Sequence, residues 1–175
     1  RKSVANHLND ITKDHPEWVL DLIESWSLDN KHTAWIARHA LRSLIKQGDQ
    51  RALAIIGASG KPEVEIIDLQ VNPPVIGLGE KITLSFAVKS TAEVSQRLVI
   101  DYAVDYVKAN GSTSAKVFKL KALTLPGKAT ESIARSQHIK ELTTRRHYAG
   151  RHAVHVLING ERVASSAFEI RVDAG

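Results

Sequence analysis

The sequence predicts an α+β multidomain chain, with a segment of helical repeats followed by an all-β domain. In residues 1–57 apolar side chains recur every three or four positions, which is typical of amphipathic helices. Residues 58–62 contain glycine and proline and are predicted to be a linker. Over residues 63–175 the apolar pattern alternates, which is typical of half-buried strands. We therefore expect helical repeats in 1–57 and a β-sandwich in 63–175.

The first two helices are predicted from apolar spacing and from a start signal. Residues 1–13 place their apolar side chains on one face. Asp14 is the predicted N-cap of the second helix, with Pro16 in the first turn and Glu17 completing a capping box. The apolar residues within 19–26 then form the buried face of this helix.

Two further helices are predicted before the linker. The third begins near Thr33 and ends at Gly48, because glycine is favoured just after a helix. Asp49 is the predicted N-cap of a short fourth helix over residues 50–56, which Gly57 stops. The sequence thus predicts four helices in the N-terminal part.

The helical part resembles itself at an offset of 33 residues. Residues 8–13 align with 41–46, and residues 19–23 align with 52–56. A period in this range indicates stacked helical pairs, although two unrelated amphipathic hairpins of similar length give the same match. A helical array normally needs about three repeats to bury a continuous core, and fewer than two are present. We therefore expect this chain to be a piece of a longer protein.

The alternating part predicts seven strands separated by turn signals. Asn159-Gly160 lies between two alternating segments, and this pair is a strong signal for a β-hairpin. Seven short strands with regular turns are typical of an immunoglobulin-like sandwich. The predicted strands are 63–71, 80–89, 97–108, 115–123, 129–138, 152–158 and 162–172.

Composition narrows the class of protein. The chain has no cysteine, which excludes disulfides and thiolate metal sites, and we expect a cytoplasmic protein. No apolar run approaches the ~20 residues that a membrane helix needs, so we expect no membrane partner. The net charge of +5 permits an anionic partner. Residues 108–151 hold ten Lys and Arg against two Glu, so the basic charge is concentrated in the β part.

Polar and basic side chains are predicted to share one groove in the helical part. Asn6, Asn9 and Asp10 lie on or beside one polar face of the first helix. The 33-residue offset places Asn6 level with His39 and Asn9 level with Arg42. Asparagine can donate and accept hydrogen bonds with the bases and backbone of a nucleic acid, and cations bind its phosphates. This groove is therefore a candidate nucleic-acid contact. A solvated helix face with ordinary surface charge is the alternative. The basic side of the third helix comprises Lys31, His32, Arg38, His39, Arg42 and Lys46.

Three other features of the sequence bear on function. Trp35 lies beside the basic helical face and is the one tryptophan that we predict to stack on a base. Lys119 and Lys121 alternate with Leu120, which predicts that both lysines and the nearby Lys116 project towards nucleic acid; lysines protecting an exposed sheet edge are the alternative. The eight histidines lack the spacing of a metal pair, so no metal site is predicted. No catalytic triad is recognisable.

Several segments resemble the AlkC-type bacterial DNA alkylation repair glycosylases. The motif at residues 3–11 is the most specific of them, and the resemblance extends over nearly the whole chain. It implies the end of a HEAT-like helical array, followed by a C-terminal immunoglobulin-like domain. The matching segments are 3–11, 13–16, 35–42, 101–102, 108–111 and 116–120.

The resemblance also implies an activity. Such enzymes hydrolyse the N-glycosidic bond of cationic N3-alkylated bases, such as 3-methyladenine and 3-methylcytosine, in double-stranded DNA. A cationic base is already a good leaving group, so a carboxylate that stabilises the sugar cation and places a water suffices, without a cofactor. Asp10 is the candidate for that carboxylate, in a protein expected to be a monomer. The alternative is a non-catalytic module that docks DNA or a protein. The implied DNA-binding residues of the helical part are Arg1, Lys2, Asn6, Asn9, Arg38 and Arg42.

Overall fold

A computed structural model describes residues 1–58, 60–140 and 146–172. The chain divides into two compact units. The helical unit comprises Arg1–Lys61 with Asn159–Glu161, and the β unit comprises Pro62–Ile158 with Arg162–Gly175. Within the described ranges, no helix is long and apolar enough to cross a membrane.

Over residues 1–58, which the structure describes, the helical unit contains five short helices around a small apolar core. Leu20, Ile23 and Leu41 are fully buried there, together with alanines that allow the helices to approach closely. Helix α1 packs against α3, and α2 packs against α5. The helices are α1 (Lys2–Ile11), α2 (Pro16–Glu24), α3 (Lys31–Ala40), α4 (Arg42–Lys46) and α5 (Gln50–Ile55).

The helix caps confirm one sequence prediction and correct another. The Asp49 carboxylate accepts a hydrogen bond from the Ala52 amide at 2.8 Å, so its predicted role as an N-cap is confirmed. The capping box at Asp14 is wrong, because His15 is the N-cap of α2 and makes no side-chain cap bond. Pro16 occupies the first turn, which sets the helix start one residue later than predicted. Glu17 instead accepts a hydrogen bond from Arg51 at 2.6 Å.

Arg51 joins α5 to an acidic stripe on α2. Its guanidinium contacts Glu17, Asp21 and Glu24, which lie one to two turns apart along that helix. The hydrogen bond from Arg51 lowers the pKa of Glu24, and the two carboxylates of Glu24 and Asp21 raise the pKa of Arg51. These exposed ion pairs offset part of the negative charge of the acidic stripe.

The predicted third helix is two helices in the structure. The backbone leaves helical geometry at Leu41, and α4 begins at the next residue. The side-chain oxygen of Asn9 accepts a hydrogen bond from the Ser43 amide at 3.2 Å, which satisfies a donor in the first turn of α4. A single continuous helix would have no need of this bond. The break thus coincides with a contact from α1, which is distant in sequence.

The β unit is a sandwich of two sheets. The three-stranded sheet has the order β1-β3-β6, and the five-stranded sheet has the order β2-β8-β7-β4-β5. The described part of this unit, residues 62–140 and 146–172, contains eight strands where seven were predicted, because the three-residue β2 is too short to show an alternating pattern. The strands are β1 (Val64–Asn72), β2 (Val75–Gly77), β3 (Lys81–Ser90), β4 (Gln96–Val107), β5 (Thr113–Leu125), β6 (Thr130–His138), β7 (Gly150–Ile158) and β8 (Glu161–Arg171).

The sandwich core contains a short polar row as well as apolar side chains. The Tyr102 hydroxyl donates to the Gln137 side-chain oxygen at 2.5 Å, and the Gln137 amide donates to the Tyr106 hydroxyl at 2.7 Å. Burial raises the pKa of Tyr102 to about 12, so this hydroxyl keeps its proton at neutral pH. The row joins β4 to β6 across the two sheets and satisfies polar groups that would otherwise be costly to bury.

His152 should make the β unit less stable in acid. The ring is fully buried, stacks on Phe168 at 5.2 Å and has Nδ1 3.1 Å from the Gly150 carbonyl oxygen. Burial lowers the pKa of His152, with His147 adding repulsion, so the unfolded chain binds the proton more readily. The free energy of unfolding should therefore decrease as the pH falls below ~6.5. Denaturant titrations from pH 5 to 8 should show that the free energy of unfolding depends less on pH in His152→Phe than in the parent protein. The same pH dependence in both proteins would contradict this role of His152.

Candidate nucleic-acid interface

Helix α1 presents a polar face on which three of the predicted residues are exposed. Lys2, Asn6 and Asp10 lie at successive four-residue intervals and are open to solvent. Asn9 differs, because it is 4% exposed and caps α4. Its burial is a correction to the predicted groove and removes Asn9 from the candidate contacts. The predicted alignment with Arg42 did place Asn9 beside the start of α4.

Asp10 has an accessible carboxylate. Its Oδ1 lies 3.3 Å from the Lys13 Nζ, and the two side chains are 67% and 68% exposed. An exposed pair of this kind is screened by water and contributes little to stability, so it does not fix the carboxylate in place. Asp10 is therefore available to an approaching ligand, on the same helix face as Lys2 and Asn6.

A cavity of about 400 Å³ lies between the start of α1 and helix α3. Arg1, Lys2 and Trp35 line it, which brings together three of the predicted contact residues. A guanidinium nitrogen of Arg1 contacts the His32 ring, and Trp35 stacks on His39 with ring centroids 3.8 Å apart. An aromatic ring beside two cations suits the base and phosphate of a nucleotide. The size is within the range of small-ligand sites.

The two remaining predicted arginines differ in what they contact. Arg38 is exposed in the last turn of α3. Arg42 is half-buried, and its Nη1 donates to the His39 carbonyl oxygen at 2.6 Å. This bond satisfies a carbonyl at the C-terminal end of α3, so Arg42 has a structural role there. Arg38 is the better placed of the two to reach a phosphate.

The lysines of β5 do not share one face, which corrects the prediction. A β-bulge at Leu120 pairs Lys121 with Ile100 and Lys119 with Asp101, which are consecutive residues of β4. Residues directly opposite in an antiparallel pair point to the same side, and Ile100 belongs to the core. The side chain of Lys121 therefore leaves the strand on the side that faces the core, whereas the side chain of Lys119 points to the outer face of the sheet. The extra residue of a bulge breaks the simple alternation on which the prediction depended.

Lys116 and Lys121 lie on the core side at an exposed sheet edge. Strand β5 is the last strand of its sheet. Lys116 Nζ is 5.1 Å from the centre of the Phe118 ring, and Lys121 Nζ is 2.5 Å from a carboxylate oxygen of Glu131 on β6. Lys116 thus lies over an aromatic ring, and Lys121 is paired with a carboxylate. Their position fits the protection of a sheet edge as well as contact with an anion.

A row of three side chains crosses β8, β7 and β4 and was not recognised in the sequence. His155 Nδ1 is 2.7 Å from the Ser165 hydroxyl, and His155 Nε2 is 2.9 Å from an Asp105 carboxylate oxygen. Only the pairing of three strands brings these residues together, so no local spacing could have revealed them. The hydrogen bonds link adjacent strands. Among the described residues, no group of three or more His, Asp or Glu could hold a metal.

Comparison with known proteins places this architecture in a family. The family model for "Uncharacterised protein YhaZ, C-terminal Ig-like domain" matches residues 65–172. A Bacillus subtilis (strain 168) relative, uncharacterized protein YhaZ, is 42% identical over 170 residues, which are 97% of this chain and 47% of that protein. The chain thus spans about half the length of this relative.

Two kinds of solved structure are similar to this chain. An alkylpurine DNA glycosylase AlkC from Pseudomonas fluorescens, solved bound to DNA containing an abasic site analog, matches with a TM-score of 0.95 and 66% identity. The match covers 98% of this chain and 48% of that one. A Listeria innocua beta-glucosidase matches with a TM-score of 0.50 and 17% identity over 65% of this chain and 17% of its own, which shows the fold alone. By its sequence match over residues 65–172, the chain belongs to the family of the YhaZ C-terminal immunoglobulin-like domain.

Proposed function

We propose that the chain is the C-terminal part of a DNA glycosylase that removes cationic N3-alkylated bases, such as 3-methyladenine and 3-methylcytosine. The main support is the likeness to AlkC, at 66% identity over 98% of this chain. That protein was solved on DNA with an abasic site analog, and an abasic site is what base excision leaves. The proposed partner is double-stranded DNA, bound by a cytoplasmic monomer.

The proposed chemistry needs a negative charge near the sugar. A cationic base leaves readily, so the enzyme has to stabilise the positive charge that develops on the sugar and to position a water. We assign this role to the exposed carboxylate of Asp10 on α1. Hydrolysis then bonds the water oxygen to the sugar carbon as the bond to the base breaks; the base leaves as a neutral molecule with the electron pair of that bond, and the proton lost by the water passes to the solvent. No metal or redox cofactor is part of this scheme.

The proposed DNA surface of the helical unit combines α1 and α3. Arg1, Lys2 and Trp35 share one cavity, Asn6 lies on the same face of α1, and Arg38 is exposed on α3. Cations there would bind phosphates, which positions the duplex without reading its sequence. We further propose that the five helices are the end of a HEAT-like array. The proposed domains keep the boundaries predicted above.

The β5 lysines test whether the β unit also contacts DNA. We expect Lys119→Ala to reduce the slope of log affinity against log salt by about 0.9, the value for one phosphate contact on B-DNA. Lys121→Ala should change it less, because Glu131 already neutralises Lys121. The affinity of each variant for duplex DNA, measured from 50 to 300 mM salt, gives these slopes. Unchanged slopes in both variants and in Lys116→Ala would instead assign the lysines to edge protection.

A non-catalytic docking module is the second candidate function. Two observations favour it. This chain spans only about half the length of the relatives that it matches, and the Asp10 carboxylate is exposed rather than enclosed in a site. Release of bases from methylated duplex DNA, separated by chromatography, distinguishes the two. We expect the full-length parent to release 3-methyladenine, and the 175-residue chain tested beside it locates the chemistry. Release by neither protein would favour the docking module.

A further inference from the structure

A second cavity, of about 390 Å³, lies in the β unit at the end of the β4–β5 hairpin. Its lining includes Tyr106, Lys108, Ser114, Arg146 and Tyr148. None of these residues belongs to the proposed DNA surface described above. The cavity is within the size range of small-ligand sites, and its wall combines two cations with three hydroxyl groups. It is therefore suited to an anion that carries several acceptor oxygens.

The hairpin holds part of this lining in fixed positions. Tyr106 and Ser114 are directly opposite in the β4–β5 pair, so their side chains point to the same side. Tyr106 is 4% exposed, and its hydroxyl accepts a hydrogen bond from Gln137 at 2.7 Å. The Lys108 amide donates to the Ser112 carbonyl oxygen at 2.8 Å, which closes the turn. The part of the wall that the hairpin forms is thus held in place before a ligand arrives, which lowers the entropy cost of binding.

The charge of the cavity distinguishes between kinds of phosphate. Lys108 and Arg146 supply two positive charges, and the fork of an arginine matches phosphate oxygens. A phosphate monoester carries a charge between about −1.5 and −2 at neutral pH, whereas a backbone diester carries one negative charge. The half-buried Tyr148 offers an aromatic surface for an attached base or sugar.

We propose that this cavity binds a terminal phosphate monoester, either on a free nucleotide or at the 5′ end of a DNA strand. This inference does not depend on base excision, and the assay of base release does not test it. Lys108, Arg146 and Ser114 bind the phosphate oxygens, and Tyr148 contacts the attached group. The site is separate from the cavity of the helical unit that holds Arg1, Lys2 and Trp35.

Titration of the 175-residue chain by calorimetry tests the proposal. AMP should bind at least tenfold more tightly than cyclic AMP, which has the same base and sugar but a diester. Lys108→Ala and Arg146→Ala should each weaken AMP binding about tenfold or more. Lys89→Ala removes an exposed lysine of β3 that does not line the cavity, and it should leave AMP binding unchanged.

A second titration identifies the source of the phosphate. A short DNA strand phosphorylated at its 5′ end is compared with the same strand ending in a hydroxyl. A preference for the phosphorylated strand that Lys108→Ala abolishes supports a strand end, and binding of AMP alone supports a free nucleotide. Equal affinity of AMP and cyclic AMP, or equal losses in Lys89→Ala and Lys108→Ala, would overturn the proposal, because either result indicates general charge attraction.

Discussion

Asp10→Asn in the full-length protein is expected to slow base excision about a hundredfold or more, while DNA affinity changes by less than about threefold. Asparagine keeps the size of the side chain and one acceptor oxygen, but it removes the negative charge and replaces the second acceptor oxygen with an NH2 donor. The charge matters most when the sugar becomes cationic, so the loss should appear in the chemical step rather than in binding. Single-turnover release of 3-methyladenine and a duplex-binding titration measure the two effects separately.

A matched variant shows whether the ion pair on α1 matters by itself. Lys13→Ala removes the cation that lies 3.3 Å from the Asp10 carboxylate and leaves that carboxylate in place. We expect its excision rate to stay within about threefold of the parent, because exposed pairs contribute little. A loss in Asp10→Asn that affects binding and excision equally would remove the catalytic role from Asp10, and so would no loss at all.

Phe168→Ala is expected to destabilise the β unit by about 3–5 kcal/mol, the usual cost of deleting a buried phenylalanine side chain. Phe168 is 2% exposed on β8 and stacks on His152 in the core. The three tyrosines of the chain all lie in the β unit, whereas the three tryptophans lie in α2, in the turn after it and in α3. Tyrosine absorbance during urea denaturation therefore reports on the β unit, and tryptophan fluorescence reports on the helices.

Val94→Ala is the control for this substitution. Val94 is 73% exposed, so its truncation should change the free energy of unfolding by no more than about 0.5 kcal/mol. If Phe168→Ala shifted the tyrosine transition no more than Val94→Ala does, the sandwich core would not be packed around Phe168 as described.

Local patterns were sufficient to predict most elements of the fold. The Asp49 cap needs only its neighbours along the chain, and the structure confirms it. The hairpin at Asn159-Gly160 is confirmed too, with φ of 51° and 78° that favour these two residue types. The break between α3 and α4 could not be predicted in this way, because the Ser43 amide at the start of α4 donates to the side-chain oxygen of Asn9, which is 34 positions away.

The candidate site was less predictable than the fold, for the same physical reason. Amphipathic spacing correctly predicted that Lys2 and Asn6 are exposed. It could not predict that Asn9 is buried, because that burial comes from a contact distant in sequence. The bulge at Leu120 reversed the face of one lysine relative to the other, and a bulge leaves no clear mark in an alternating pattern. Site geometry depends on register between strands and helices, which one segment alone does not encode.

The measurement that most directly tests the central claim compares a cationic base with a neutral one of the same shape. The full-length protein is incubated with duplex DNA containing 3-methyladenine, or its neutral analogue 3-deaza-3-methyladenine, at one position. If removal depends on a cationic leaving group, the protein binds both duplexes but releases only 3-methyladenine at an appreciable rate. Binding of both duplexes without release of either base would contradict the proposed activity and favour a docking module. Release of both at similar rates would contradict the proposed mechanism.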